Sequence, residues 1–281
     1  MRPFQIGVCS WSLKQPDVPA ALTAARDELG LRLVQIGVFG PGSIPKDAQA
    51  IREAVARTGV EISATCAGFP GESYASIARI AETGGYGPAE QLEERLDHTR
   101  RMAELTAALG VRMMTTHIGF VPHDPATPEF SAMVDRLKRV CEVMAAHDLI
   151  LTMETGQEPA EVLREFIGRV GFENIRVNFD PANMILYGAG DPIAAVGVLG
   201  DQIAHVHCKD GVRSAQPGVE WGREVPLGEG EVDFPAFITK LREIGYAGPL
   251  VIEREGGPTR FQDCRKAIEL LSRLGAEAAP A

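Results

Sequence analysis

Thiols are few and scattered in this chain. The five cysteines, Cys9, Cys66, Cys141, Cys208 and Cys264, are odd in number and include no Cys-x-x-Cys pair. That argues against both a disulfide framework and a thiolate zinc site, and they read as reduced packing residues. No apolar run is long enough to cross a bilayer. The opening MRPFQIGVCSW has one Arg but no apolar stretch of the secretory kind, so a cytoplasmic protein with no membrane partner is expected. Basic residues are outnumbered 28 to 38, giving a formal charge of -10 without a basic stripe, and nucleic acid is not an expected partner. No Gly-x-Gly-x-x-Gly or Walker sequence follows a strand, so no nucleotide cofactor is indicated. What remains is an ordinary globular composition, 45% hydrophobic and 23% charged over 281 residues, enough to bury a real core.

Short apolar runs alternate with longer amphipathic ones. Strands are expected at Phe4–Cys9, Leu33–Gly37, Glu61–Cys66, Arg112–His117, Leu149–Glu154, Ile175–Asp180, Ile203–Cys208 and Pro249–Glu253. Helices are expected at Val18–Leu29, Pro45–Thr58, Gln91–Leu109, Pro128–His147, Pro159–Arg169, Pro192–Leu199, Pro235–Ile244 and Arg260–Leu274. Several carry Pro in the first turn and Gly just past the end, the usual asymmetry. Eight alternating β and α units in about 250 residues predict an α/β fold, a (β/α)8 TIM barrel, with a doubly wound open sheet as the alternative. One domain over 1–281 is expected, with a frayed tail from about 275 to 281.

The densest chemistry lies in AHVHCKDG, Ala204 to Gly211. Alternation along a strand puts His205, His207 and Lys209 on one face, with Val206 and Cys208 on the other. If the chain is a barrel, catalytic side chains belong at the C-terminal strand ends, and there the sequence offers His117, Glu154, Asp180, His207 and Glu253. Beneath them on the same faces lie Thr115, Thr152, Asn178 and His205, a hydrogen-bonding layer of the kind that supports a metal. Glu, Asp, His and Glu make a mixed oxygen and nitrogen donor set that suits Mn2+, Mg2+ or Co2+ and accepts Zn2+. Three converging carboxylates would otherwise raise one another's pKa values, a conflict that a divalent ion removes.

Two connections are long. Residues 67 to 90 read as a partly helical flap over the mouth, and residues 210 to 232, with Trp221, Arg223 and Glu224, read as a lid. Trp11 follows the first strand, and both Trp are either platforms for sugar C–H faces or packing for loops. Phe69 and Tyr74 are similar cases. Lys209 either binds a phosphate or carboxylate or pairs with Asp210.

The combination METG, NFDPAN, HVHCKD, PLGEGEVDF and GPLVIERE resembles the xylose-isomerase-like sugar phosphate isomerases and epimerases, whose relatives include ketose 3-epimerases, inosose dehydratases, hydroxypyruvate isomerases and endonuclease IV. The resemblance covers nearly the whole chain and is most specific in the second half. It implies a TIM barrel with one divalent metal, usually Mn2+, on Glu154, Asp180, His207 and Glu253, the two glutamates also serving as acid and base. It departs at Asn183, where the ketose epimerases usually have a histidine, though an amide can still bond a hydroxyl. Arg213 falls where they place a substrate-contacting arginine. The expected function is a metal-dependent isomerase or epimerase of a keto sugar, sugar phosphate or related polyol. A lyase or dehydratase acting on a keto-inositol or 3-keto-glycoside is the alternative, and an endonuclease IV-like phosphodiesterase suits this acidic, histidine-poor chain least. Substrate-binding candidates are His117, Asn183, Lys209, Arg213, Trp221, Arg223 and Trp11. The expected partner is a small carbohydrate, and homo-oligomerisation is left open.

Overall fold

In the computed structural model, residues 3–39, 44–45 and 48–278 are described. Eight parallel strands close into a barrel: β1 (Phe4–Cys9), β2 (Leu33–Val38), β3 (Glu61–Ala67), β4 (Met113–Thr116), β5 (Ile150–Glu154), β6 (Ile175–Phe179), β7 (Ile203–Cys208) and β10 (Leu250–Ile252), which returns to β1. The closing register pairs Ile6 with Leu250 and Val8 with Ile252. Around it run α1 (Val18–Leu29), α2 (Gln49–Thr58), α3 (Ile77–Thr83), α4 (Leu92–Ala108), α5 (Pro128–Ala145), α6 (Ala160–Val170), α7 (Pro181–Tyr187), α8 (Pro192–Leu199), α9 (Phe234–Glu243) and α10 (Arg260–Arg273). All eight expected strands are found, most within a residue or two, and closure excludes the open sheet.

Local chemistry explains the helix boundaries. Asp17, Ser76, Thr127, Asp180, Asp191 and Asp233 each accept a backbone N–H of the first turn, and α1, α5, α7, α8 and α9 carry Pro there, which leaves few of the orphan donors at those helix starts unsatisfied. The helix expected over Pro45–Thr58 begins at Gln49, and residues 46 and 47 lie outside the described ones. Helix α7 was not expected. The tail also differs: β11 (Ala276–Ala278) pairs with the start of β1, Phe4 opposite Ala276, instead of fraying. Backbone pairing to an otherwise open stretch of β1 fixes it despite its small side chains, and residues 279–281 lie outside the described ones. The 210–232 segment is a hairpin in part, β8 (Asp210–Val212) antiparallel to β9 (Arg223–Val225). Among the described residues no helix is long and apolar enough to cross a membrane.

The barrel interior is unusual where it matters. Such barrels are commonly filled with branched aliphatics, yet Gln35, Thr115, Thr152, Asn178, His205 and His207 are fully buried. Buried polar groups are tolerated only when hydrogen-bonded, and here they bond one another. Gln35 donates to Thr115 (2.9 Å), Thr115 meets Thr152 (2.7 Å), and His205 lies 2.7 Å from Asn178 Oδ1 and 3.1 Å from Ser63 Oγ. Above this polar layer, at the C-terminal end of the strands, opens a cavity of about 710 Å3 lined by Glu154, Lys209 and Glu253 among others.

Candidate metal centre

Four of the eight strand ends deliver one donor each. Glu154 closes β5, Asp180 follows β6 and caps α7, His207 sits near the end of β7 and Glu253 follows β10. One donor atom from each of the four lies within 4.8 Å of every other. Ligands at roughly 2.0 to 2.6 Å from a common ion are separated by no more than about 4 to 5 Å, so the cluster has the right size. His207 Nδ1 is the meeting point, 3.0 Å from Glu154 Oε1, 3.4 Å from Glu253 Oε2 and 3.9 Å from Asp180 Oδ2. The other nitrogen is committed: His207 Nε2–H donates to Gln35 Oε1 at 2.6 Å. That bond leaves the Nδ1 lone pair facing the carboxylates, the orientation a metal ligand needs.

Asp180 provides the sharpest test of fit. Its Oδ1 accepts the N–H groups of Ala182 (2.8 Å) and Asn183 (3.1 Å), whereas Oδ2 is buried with no hydrogen-bond partner. A buried carboxylate oxygen left unpaired is costly, and a cation among the four donors would satisfy it. The electrostatics agree. Burial, with Glu253 and Glu154 close by, pushes the Asp180 carboxyl well up despite Lys209. Burial alone would discharge His207, but Glu253 and contacts with Cys9 and Glu154 hold its imidazole well above the ordinary value, so a proton gathers where a metal would sit. Glu253 is held well below the usual carboxylate range because Lys209 and His207 outweigh its burial. Cys9 Sγ lies 3.8 Å from His207 Nε2 and within 4.8 Å of a Glu253 oxygen, but burial pushes its thiol up, so it stays a neutral group beside the four oxygen and nitrogen donors. All five cysteines are free and buried, as their spacing implied.

Most of the other candidates gather here. Trp11 Nε1–H donates to Glu253 Oε1 at 2.8 Å, and Asn183 Nδ2–H donates to Glu154 Oε1 at 3.2 Å. Glycine at 37 makes room for Trp11, since a Cβ there would come within 2.6 Å of the indole and 2.4 Å of Phe39. His117 lines the cavity, its ring stacked at 12° on Tyr187, and burial pushes its imidazole down to the neutral form. Trp221 meets Tyr187 edge-on at 4.7 Å. Lys209 is buried and does not pair with Asp210: its ammonium lies 3.0 Å from Glu253 and 2.7 Å from Glu255.

Two of the candidate arginines lie outside the lining of this cavity. Arg213 turns outward, 63% exposed, and binds Glu231 at 2.6 Å. Arg223 is exposed on β9, where strand alternation gives the cavity its neighbour Glu224. Sequence reading missed Gln35, Tyr187 and Glu255. Gln35 had a signal, being the one amide in the apolar run LVQIGV, and Tyr187 lies at the end of α7, whose Asp-Pro start is a helix signal. Glu255 had none, because only folding brings it to Lys209.

Comparison with known proteins agrees with this fold. Residues 23–274 match the family model described as Xylose isomerase-like TIM barrel. A xylose isomerase domain protein from Planctomyces limnophilus superposes with a TM-score of 0.86 at 36% identity, covering 97% of this chain and 96% of that one. The rhizopine catabolism protein MocC of Rhizobium meliloti is 30% identical over 164 residues, 52% of this chain and 49% of that protein. An inosose dehydratase of Geobacillus kaustophilus is 23% identical, covering 98% of this chain and 96% of its own length. The L-ribulose-5-phosphate 3-epimerase UlaE of Salmonella choleraesuis is 26% identical, with 73% and 68% covered. The chain spans about half the length of MocC and of the Lacticaseibacillus casei inosose dehydratases it also matches. Matched over most of its length by the family model and by a full-length structural relative, the chain belongs to the xylose isomerase-like TIM barrel family.

Proposed function

We propose that this protein is a divalent-metal-dependent isomerase or epimerase of a keto sugar or related polyol, working by proton transfer beside a carbonyl. The observation that carries the reading is the convergence on His207 Nδ1 of Glu154, Glu253 and Asp180 Oδ2, which has no hydrogen-bond partner and only the Lys209 ammonium at 3.9 Å, at the floor of an open cavity. A divalent cation held there, Mn2+ by preference and otherwise Mg2+, Co2+ or Zn2+, would act as a Lewis acid on the substrate carbonyl, making the neighbouring C–H acidic enough for a carboxylate.

The chain's residues divide the remaining work. Glu154, partly open to the cavity and steadied by Asn183, takes the proton from the carbon next to the carbonyl. Glu253, anchored through Oε1 by Trp11 and through Oε2 by Lys209, passes a proton from the Lys209 ammonium to the other face, and exchange with solvent through the open cavity then deprotonates Glu154 and reprotonates Lys209. Two such groups on opposite faces invert a centre, and return to the adjacent carbon interconverts ketose and aldose. Neutral His117 and the Asn183 amide can hydrogen-bond hydroxyls, and Trp11, Tyr187 and Trp221 offer flat faces to C–H surfaces.

A second reading is a lyase that starts with the same proton abstraction and then loses a β-hydroxyl from a keto-inositol or 3-keto-glycoside. The full-length similarity to an inosose dehydratase supports it, as does the Lys209 ammonium, a donor for a departing hydroxyl. Product analysis of the Mn2+-loaded protein on ketoses, keto-inositols and 3-keto-glycosides separates the two. In either case Glu154→Gln and Glu253→Gln should lose more than the ~10² to 10⁴ of acid–base loss alone, since each also removes a metal ligand. Turnover surviving in both variants would refute the assignment.

A further inference from the structure

The cavity has few positive charges to spare. Five carboxylate side chains line it, Glu72, Glu154, Glu224, Glu253 and Glu255, and among the described lining residues Lys209 is the only cation. Its ammonium is already shared between Glu253 and Glu255. Arg213 and Arg223, the guanidinium groups that sequence reading assigned to substrate, lie outside the lining.

Backbone donors are taken as well. In barrels of this kind the loops after the seventh and eighth strands commonly cradle a phosphate with their N–H groups. Here Asp210, just past the seventh strand, occupies that role from within. Its Oδ1 accepts from Gly211 (2.8 Å) and Val232 (3.2 Å), and its Oδ2 accepts from Gly228 and Gly230, both at 2.9 Å. The fit is tight enough that a Cβ on residue 230 would lie 2.1 Å from Asp210 Oδ1, which requires glycine there. After the eighth strand, the N–H groups of Glu255 and Gly256 bind Glu224 at 2.9 Å each, and Arg254 is shared between Glu224 (2.7 Å) and Asp263 (3.0 Å). The donors that could hold a phosphate hold the chain's own carboxylates.

We propose that the mouth selects an uncharged polyhydroxy ketone and excludes sugar phosphates and sugar acids. The inference rests on the reading of the protein as a carbohydrate enzyme and narrows its substrate class. A phosphate dianion in this cavity would face carboxylates whose described cation, Lys209, is already shared, and a divalent ion held by the three ligand carboxylates would leave that cluster net negative. Each carboxylate the phosphate meets adds like-charge repulsion in a partly desolvated site, which hydroxyl contacts on the same sugar would have to offset. The aromatic walls, Trp11 with Phe39 on one side and Tyr74, Tyr187 and Trp221 on the other, complement the C–H faces of a neutral ring instead.

The chain's two tryptophans both line this cavity, so their emission reports occupancy directly. We would titrate the full-length protein, metal-free and Mg2+-loaded, with L-ribulose and L-ribulose 5-phosphate, D-fructose and D-fructose 6-phosphate, and a keto-inositol. Neutral members should shift the emission, and their phosphates should bind at least about tenfold more weakly in both forms, the gap narrowing with salt. Glu255→Gln, which removes one carboxylate and one of the partners of Lys209, should improve phosphate binding selectively. Phosphates binding as tightly as their neutral partners, or an unchanged ratio in Glu255→Gln, would overturn the inference while leaving the carbohydrate reading standing. Silence from every neutral ketone, keto-inositol included, would remove both.

Discussion

Gln35 stands among the aliphatic side chains of β2 with no exposure at all, and each end of its amide is used: Oε1 takes the Nε2–H of His207 and Nε2–H goes to Thr115. Removing it leaves His207 free to take the other tautomer and its ring free to turn. Gln35→Ala should therefore weaken metal binding by about 10- to 100-fold, the usual cost of losing a group that orients a ligand, as read by titration with Mn2+; an unchanged affinity would mean that the ring is fixed by packing alone. Glu158 offers a pH test away from the metal. It is buried, with the Gln157 side chain and its own backbone N–H as donors, and burial outweighs them to push its carboxyl from 4.5 to about 7. The folded state thus holds this proton more tightly than the unfolded state. Its contribution is fully present below about pH 4.5 and is lost as pH rises to 7, a swing of roughly 3 kcal/mol. Glu158→Gln should cancel that loss, so the variant's advantage in urea unfolding grows between pH 5 and pH 8. A difference that stays flat with pH would contradict the burial argument.

At the scale of elements, the hairpin of β8 and β9 and helix α7 build one wall together. Trp221, just before β9, lies on Tyr187 at the end of α7, and Gly222 N–H bonds Leu186 O at 3.0 Å. Asp210 pins the base of the hairpin through four backbone donors. Asp210→Ala would strand those donors and should cost about 3 kcal/mol or more by chemical denaturation. Trp221→Ala removes only wall, so carbohydrate binding should weaken while metal content and unfolding stay near wild type. If that variant lost its metal or unfolded, Trp221 would be a packing residue instead. The segment read as a lid from its length is thus a tethered wall, because its anchor is a carboxylate chelating backbone N–H groups, and that geometry leaves no mark in composition.

For the whole molecule, what was legible in the sequence followed from repetition. Alternating apolar strands and Pro-started, Gly-ended helices specified the barrel, and a barrel places the residues at its strand ends together, which is why Glu154, Asp180, His207 and Glu253 could be named before any coordinates. Features set by contacts across the mouth were not legible. Lys209 reads as a phosphate or carboxylate binder or an Asp210 partner, whereas Glu253 and Glu255 hold it; Arg213 reads as a substrate contact, whereas it pairs outward with Glu231; and the tail reads as frayed, whereas residues 276–278 pair with β1. Central to the account is a metal-assisted proton transfer by the strand-end carboxylates. The most direct measurement is solvent-deuterium uptake by a ketose or keto-inositol incubated in deuterated water with the Mn2+-loaded protein, followed by NMR. The account predicts deuterium at the carbon beside the carbonyl, abolished by chelation and in Asp180→Ala, and restored to the chelated wild type by added Mn2+. Exchange that continues undiminished after chelation and in Asp180→Ala, or a substrate deuteron recovered intact on the neighbouring carbon at every turnover, would contradict it.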